Sequence, residues 1–178
     1  DLFFDAPWVA KAERIAADDA LARLLAWQRA HTSRQVLGTE VAFTVDVEAG
    51  GEPISLRGSV DRLELDGDRL KIIDFKTSRQ APPAARVVTH EQLGLYQLAA
   101  QQGAFDDLAP GVRSVADAEL VFLRVQDGEA PWPKVLRQSS LDDVPHPGGE
   151  HLDHPTWVHA RLAEAARIVR RGEFPAIA

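Results

Sequence analysis

Asp61, Asp74 and Lys76 are the residues of this chain whose types and spacing could do chemistry together. Asp61 sits in Gly58-Ser59-Val60-Asp61-Arg62-Leu63-Glu64-Leu65, and Asp74 and Lys76 sit in Leu70-Lys71-Ile72-Ile73-Asp74-Phe75-Lys76-Thr77. Asp66-Gly67-Asp68-Arg69 joins the two runs. Side chains alternate faces along a strand, so Asp74 and Lys76 share a face and Phe75 points to the other. A turn on Gly67-Asp68 pairs Asp66 with Arg69, Leu65 with Leu70 and Glu64 with Lys71. Carried on, that register sets Asp61 opposite Asp74. A four-residue loop gives the same register, whereas a turn on Asp66-Gly67 does not.

One face of this hairpin then carries Asp61, Leu63, Leu65, Leu70, Ile72, Asp74 and Lys76. The other carries Arg62, Glu64, Asp66, Arg69 and Lys71, with Ile73 and Phe75 at one end. The first is an apolar, core-facing surface that turns acidic at its end. Opposed carboxylates repel across a strand pair and lose hydration near an apolar core. A hard divalent cation with oxygen ligands would compensate both effects. A lysine two residues further on suits a phosphate or an attacking water.

Asp, a hairpin, then Asp-x-Lys resembles the core of the PD-(D/E)xK nuclease superfamily. The flanks Gly58-x-x-Asp61-Arg62 and Ile73-Asp74-Phe75-Lys76-Thr77 look like the RecB-family nuclease domain. So does Gln92-Leu93-Gly94-Leu95-Tyr96, a Gln-x-x-x-Tyr helix, and Glu40 looks like the glutamate on that family's preceding strand. The specific likeness covers about residues 36–104. It implies an α/β fold of the restriction-endonuclease type, a mixed sheet with a central antiparallel hairpin flanked by helices. It implies Mg²⁺ or Mn²⁺ held by Asp61, Asp74 and the backbone carbonyl of Phe75, with Lys76 catalytic. Gln92 and Tyr96 would brace the site or touch DNA. By the same likeness, the parent protein looks like the nuclease part of a bacterial helicase–nuclease that processes double-strand breaks, AdnB- or RecB-like. Its helicase module would lie in the same polypeptide or in a partner subunit.

Two departures qualify the likeness. RecB-type domains usually carry a metal-holding Gly-x-x-x-His helix, which this chain lacks; His31 ends a different expected helix. Many relatives hold an iron–sulfur cluster through cysteines, and this chain has no cysteine, so a cluster would belong to the full-length protein only. The absent initiating methionine and the end of the chain shortly past Gly172-Glu173-Phe174-Pro175 read as a fragment of a longer protein. A catalytically silent domain that binds DNA or scaffolds a partner subunit is the alternative. A nuclease directed at RNA, or one serving defence, is another.

The 178 residues suffice for one domain with a sizeable core, 1–178. Apolar runs are too short to span a bilayer, and no signal peptide is visible. The absence of cysteine excludes disulfides and thiolate metal sites within the chain and fits a cytoplasmic protein. The net charge of −7 lacks the basic footprint usual for phosphate binding. Bound cations would restore positive charge at an acidic site, yet weak DNA affinity is expected of the isolated chain.

The elements that must position these residues follow from period and punctuation. Residues 8–31 read as an amphipathic helix, with Leu21, Leu24, Leu25 and Trp27 on a stripe and Pro7 in its first turn. Residues 36–48 alternate as a strand with Val41, Phe43, Val45 and Val47 inward. Gly50-Gly51-Glu52-Pro53 is a turn, and the hairpin spans about 54–77. Thr89 reads as the N-cap of a helix to about Gln102, with Gln92 closing a capping box and Gly103 stopping it. Strands are expected at 117–125 and 134–138, and an irregular loop at 142–155. A last helix should span 156–171, with Leu162, Ala166 and Val169 inward and Gly172 as cap. Helices and strands in this order make a mixed sheet flanked by helices.

Among the remaining residues, Arg62 reads as a structural ion-pair partner, and Thr77 either as a hydrogen-bond donor near the scissile phosphate or as a strand-terminal threonine with no such role. His146, His151, His154 and His159 match no standard zinc-ligand spacing. Trp8, Trp27, Trp132 and Trp157 read as core or edge packing rather than base stacking. The chain has no Gly-x-x-x-x-Gly-Lys-Ser/Thr loop, so an ATP-driven motor would lie elsewhere.

Overall fold

The computed structural model describes residues 7–129 and 131–171. The elements are α1 (Pro7–Ala30), β1 (Gln35–Ala49), β2 (Glu52–Asp66), β3 (Arg69–Lys76), α2 (Glu91–Gln101), β4 (Val115–Gln126), β5 (Pro133–Ser139) and α3 (Trp157–Arg171). The strands form one sheet in the order β1-β2-β3-β4-β5. All neighbours are antiparallel except β3 and β4, which run parallel. A parallel pair needs a crossover, and α2 is carried by that connection. The sheet is therefore mixed and flanked by helices, as the order of elements predicts.

Two faces of the sheet are covered by different chemistry. On the α2 face, Phe43, Val60, Leu63, Leu70, Ile72 and Leu93 join the main core. There α3 docks through Trp157 and Val158 against Val47 and Leu98. Gly94 makes this docking possible, since a Cβ there would lie 2.7 Å from Trp157 Cζ2 and 2.8 Å from Val158 Cγ2. On the α1 face, Trp27 packs with Ile73 and Val121. Beside that small apolar cluster lies an ionic layer. Glu64, Lys71 and Glu119 are buried, and Lys71 Nζ reaches Glu119 at 3.0 Å and also pairs with Asp117.

The hairpin register is the one expected as far as Arg62 and Ile73, where the backbone pairing of β2 and β3 ends short of Asp61 and Asp74. Asp66 pairs with Arg69, Leu65 with Leu70, Glu64 with Lys71 and Arg62 with Ile73. Gly67 supplies the left-handed conformation of the two-residue turn, with φ of 67°. Several expectations are corrected. The inward face of α1 is set by Trp27, so Leu21 and Leu25, 54% and 41% exposed, point away from the sheet. Val169 is 65% exposed, because α3 docks by its first turns around Gly94. Trp27 and Trp157 are core residues, but Trp8 is 75% exposed and packs into no core. The cap of α2 is His90, not Thr89. The expected cap at Gly172 lies outside the described residues. Among the described residues no helix is long and apolar enough to cross a membrane.

Candidate active site

Strict alternation fails once in β2, and it fails at Asp61. Leu56, Val60, Leu63 and Leu65 all pack into the α2-side core. The step from Val60 to Leu63 is three residues, not two. On the paired strand, Thr39 stands opposite Arg62 and Val41 opposite Val60. Glu40 therefore faces Asp61 by register, and Glu40 is left-handed with φ of 50°. Such a local break re-aims side chains and bends the strand. Here it turns Asp61 toward the end of β3, where Asp61 Oδ2 accepts a hydrogen bond from the Phe75 amide at 2.7 Å.

Asp74 follows the buried pair Ile72-Ile73 and is itself buried. Burial pushes its pKa upward; the ion pair with Lys76 opposes this, and the nearby Asp61 charge adds to it. The net shift is upward. Lys76 Nζ stands 2.6 Å from Asp74 Oδ2. The ammonium is the one charge-assisted partner of this buried oxygen among the described residues. Lys76 also donates to Gln92 Oε1 at 3.0 Å, and Gln92 Nε2 donates to Tyr96 Oη at 2.8 Å. Gln92 and Tyr96, four residues apart on α2, thus hold the lysine from one helix face.

Tyr96 is placed by its packing. Its ring meets Phe43 edge-on, with centroids 5.9 Å apart and planes at 88°. Gly58 makes room for both, because a Cβ there would lie 3.0 Å from the Phe43 ring and 3.6 Å from Tyr96. The Gly58-x-x-Asp61 spacing therefore joins a packing requirement to a candidate ligand. Gln92 is not part of a capping box; its amide is committed to Lys76 and Tyr96.

The structure brings Asp61, Asp74, Lys76, Gln92 and Tyr96 to one end of the central strands. Glu40 stands across from Asp61 in register but is exposed, outside the hydrogen-bonded chain. Among the described residues, no three His, Asp or Glu side chains converge as a metal-binding group. Thr77 is exposed just past β3. His31 lies on the α1 side, its Nδ1 2.7 Å from Trp27 O. Arg62 pairs with Glu64, Nε to Oε1 at 2.6 Å, and lies over the Trp27 ring, as its structural reading expects.

His90 is the residue that sequence reasoning missed. Its Nδ1 accepts from Leu93 N at 3.4 Å as the N-cap of α2. Burial lowers its pKa, the Lys76 charge lowers it further, and Asp74 opposes. An imidazole that caps with Nδ1 keeps its proton on Nε2. The only sequence signal was its place two residues before Gln92. The loop before it is pinned by Gln138, whose Nε2 donates to Val87 O at 2.9 Å and His90 O at 3.1 Å. Gln97 in turn donates to Gln138 Oε1 at 3.0 Å.

A five-stranded mixed sheet with helices on both faces, and two aspartates with a lysine at one end of its central hairpin, defines an α/β fold of the restriction-endonuclease-like class. The family model of the PD-(D/E)XK nuclease superfamily matches residues 1–178, and the chain belongs to that superfamily. No curated protein matches the chain. Among solved structures, "Crystal structure of SSO0001" is 13% identical, covering 96% of this chain and 63% of that one, with a TM-score of 0.39. The chain thus spans less than two thirds of that protein, and the likeness is too distant to transfer function.

Proposed function

We propose that the chain is a Mg²⁺- or Mn²⁺-dependent deoxyribonuclease, one domain over 1–178. It would act as an exonuclease on single-stranded DNA ends within a cytoplasmic helicase–nuclease for double-strand-break repair. Membership of the nuclease superfamily supports the hydrolase class. The RecB-like motifs support the helicase–nuclease setting and its helicase or partner subunit. The observation that carries the chemistry is that the buried Asp74 carboxylate lies beside the Asp61 charge at the end of the hairpin, with the Lys76 ammonium 2.6 Å from Asp74 Oδ2.

That donor set fits the cation. Two carboxylates and the Phe75 carbonyl are hard oxygen ligands, and Mg²⁺ is held by one or two carboxylates with waters completing an octahedron. A bound cation would neutralise charge at the scissile phosphate and acidify a water. Asp61 and Asp74 would hold it, with Asp61 fixed by the Phe75 amide. Lys76, braced by Gln92, would orient the attacking water and meet the negative charge that builds on the phosphate oxygens. The bond formed is water oxygen to phosphorus, and the bond broken releases the sugar oxygen, which takes up a proton.

The test pairs Mn²⁺ calorimetry with cleavage of labelled DNA. Binding should vanish in both Asp61→Ala and Asp74→Ala, and cleavage should vanish in Asp74→Ala and Lys76→Ala with the fold retained. Undiminished cleavage in either variant would sink the assignment. A folded wild-type chain that neither binds Mn²⁺ nor cleaves would be the silent scaffold instead.

A further inference from the structure

We propose that the cleft between the first half of α1 and the ends of β3 and β4 binds single-stranded nucleic acid, with Trp8 as a stacking platform and Arg79 and Arg124 as phosphate contacts. The inference rests on the nuclease reading for its choice of ligand. The cleft is lined by Trp8, Val9, Glu13, Arg23, Arg79 and Arg124, with Asp19 at its side. Three cations thus face two carboxylates in a chain whose net charge is −7, so this is a locally basic spot.

Glu13 holds the arginines together. Its carboxylate takes Arg124 Nη2 at 2.7 Å on one oxygen and Arg79 on the other. A guanidinium has five N–H donors, so most stay available. A carboxylate bridging two arginines is an arrangement that a phosphate can replace, since both anions accept paired N–H donors. Arg79 has a side chain 70% exposed. Arg23 donates to Leu123 O at 3.1 Å and keeps a buried Nε without a partner.

Trp8 decides the class of ligand. It is 75% exposed beside these arginines, while Trp27 and Trp157 are covered. A basic groove with an exposed aromatic ring suits an unpaired strand, whose bases offer free faces for stacking. A duplex keeps those faces stacked on each other. The position fits a path to the chemistry. Arg79 follows Lys76 by three residues, which limits their Cα separation to about 11 Å. The cleft therefore opens on the α1 face at the same end of β3 whose α2 face carries Lys76.

The test is fluorescence anisotropy of a labelled oligothymidylate in EDTA, where a metal-dependent reaction cannot proceed. Arg79→Ala/Arg124→Ala should bind about tenfold or more weakly, and its log–log salt slope should flatten by about 1.4, from two lost phosphate contacts. Trp8→Ala should bind about fivefold or more weakly. Glu13→Gln should bind more tightly, a gain that misfolding cannot mimic. Arg161→Ala/Arg170→Ala, which removes the same charge from α3, should bind like wild type. Wild type should also prefer the single strand to the blunt duplex. No wild-type binding, unchanged affinity in both cleft variants, or preference for the duplex would overturn the inference. The nuclease reading fails on a different result, continued cleavage by Asp74→Ala or Lys76→Ala.

Discussion

The Phe75 amide donates to Asp61 Oδ2 at 2.7 Å, past the last backbone pair of β2 and β3, Arg62 with Ile73. A side chain thus closes the ladder where the backbone stops. Asp61 is both a strand lock and a candidate ligand, and two substitutions separate the roles. Asparagine keeps an acceptor for the amide and removes the charge. Asp61→Asn should cost less than about 1 kcal/mol of stability, and Asp61→Ala about 1–3 kcal/mol, because a hydrogen bond to a charged group is lost. Both should lose Mn²⁺ binding. Urea unfolding with calorimetry on the two variants checks this, and wild-type Mn²⁺ affinity in Asp61→Asn would remove Asp61 from the site.

Asp74 carries the opposite balance. Burial raises its pKa above the ordinary 3.8, and the Lys76 ion pair only partly offsets this. The folded state therefore holds its proton more tightly than the unfolded chain does. Stability from this group falls as pH rises from the ordinary aspartate value through the raised one. At neutral pH the fold carries an ionised carboxylate at a cost. Asp74→Asn should therefore melt no lower than wild type at pH 7, while cleavage falls on the order of 10³-fold or more. Mn²⁺ affinity of wild type should begin to weaken on acidification at a higher pH than for a solvated aspartate. A clear loss of melting temperature in Asp74→Asn would contradict this balance.

The hairpin was legible because local signals agreed. A Gly67-Asp68 turn and the alternation of Leu63, Leu65, Leu70 and Ile72 leave one register that buries the apolar set. The shared face of Asp74 and Lys76 followed from strand alternation alone. The break at Asp61 was not legible, since it depends on a left-handed Glu40 in the neighbouring strand, a conformation that the residue type does not announce. The cap at His90 was hidden because Thr89 is the better capping residue by type, and tertiary contacts from Gln138 decided the boundary. Trp8 was misplaced because composition cannot tell a core tryptophan from an exposed one. The burial of Lys71 and Glu119 was equally hidden, since such residues are nearly always solvated unless paired across the fold.

The chain from Tyr96 through Gln92 to Lys76 should matter to rate more than to folding. Tyr96→Phe keeps the ring against Phe43 and Gly58 and removes only the hydroxyl that receives the Gln92 amide. Its melting temperature should match wild type, with kcat reduced several-fold. Gln92→Ala leaves Lys76 held by the Asp74 ion pair alone, and a misplaced catalytic group can lower the rate about 10²-fold. KM should move little in either variant. Single-turnover cleavage with thermal melts separates the cases. Wild-type kcat in Gln92→Ala would reduce the chain to a packing feature.

Glu119 links the opposite face of the sheet to acid stability. It is fully buried, with Lys71 Nζ at 3.0 Å and Arg137 Nε at 2.9 Å. Burial alone would raise its pKa, but Lys71, Arg137 and Arg34 together hold it below the ordinary 4.5. A depressed folded-state pKa contributes stability that is present above the ordinary glutamate value and lost as pH falls through the lower folded one. Glu119→Gln leaves Lys71 facing a neutral amide beside Asp117, and losing one partner of a buried ion pair costs about 3–5 kcal/mol. The wild-type advantage over Glu119→Gln should hold from neutral pH down to the ordinary glutamate value. Below it the two unfolding free energies should converge as the wild-type carboxylate takes its proton. Urea unfolding of both proteins between about pH 7 and pH 3 measures this, with the slope set by the proton uptake. A gap that stays constant across that range would show that the Glu119 charge does not stabilise the fold.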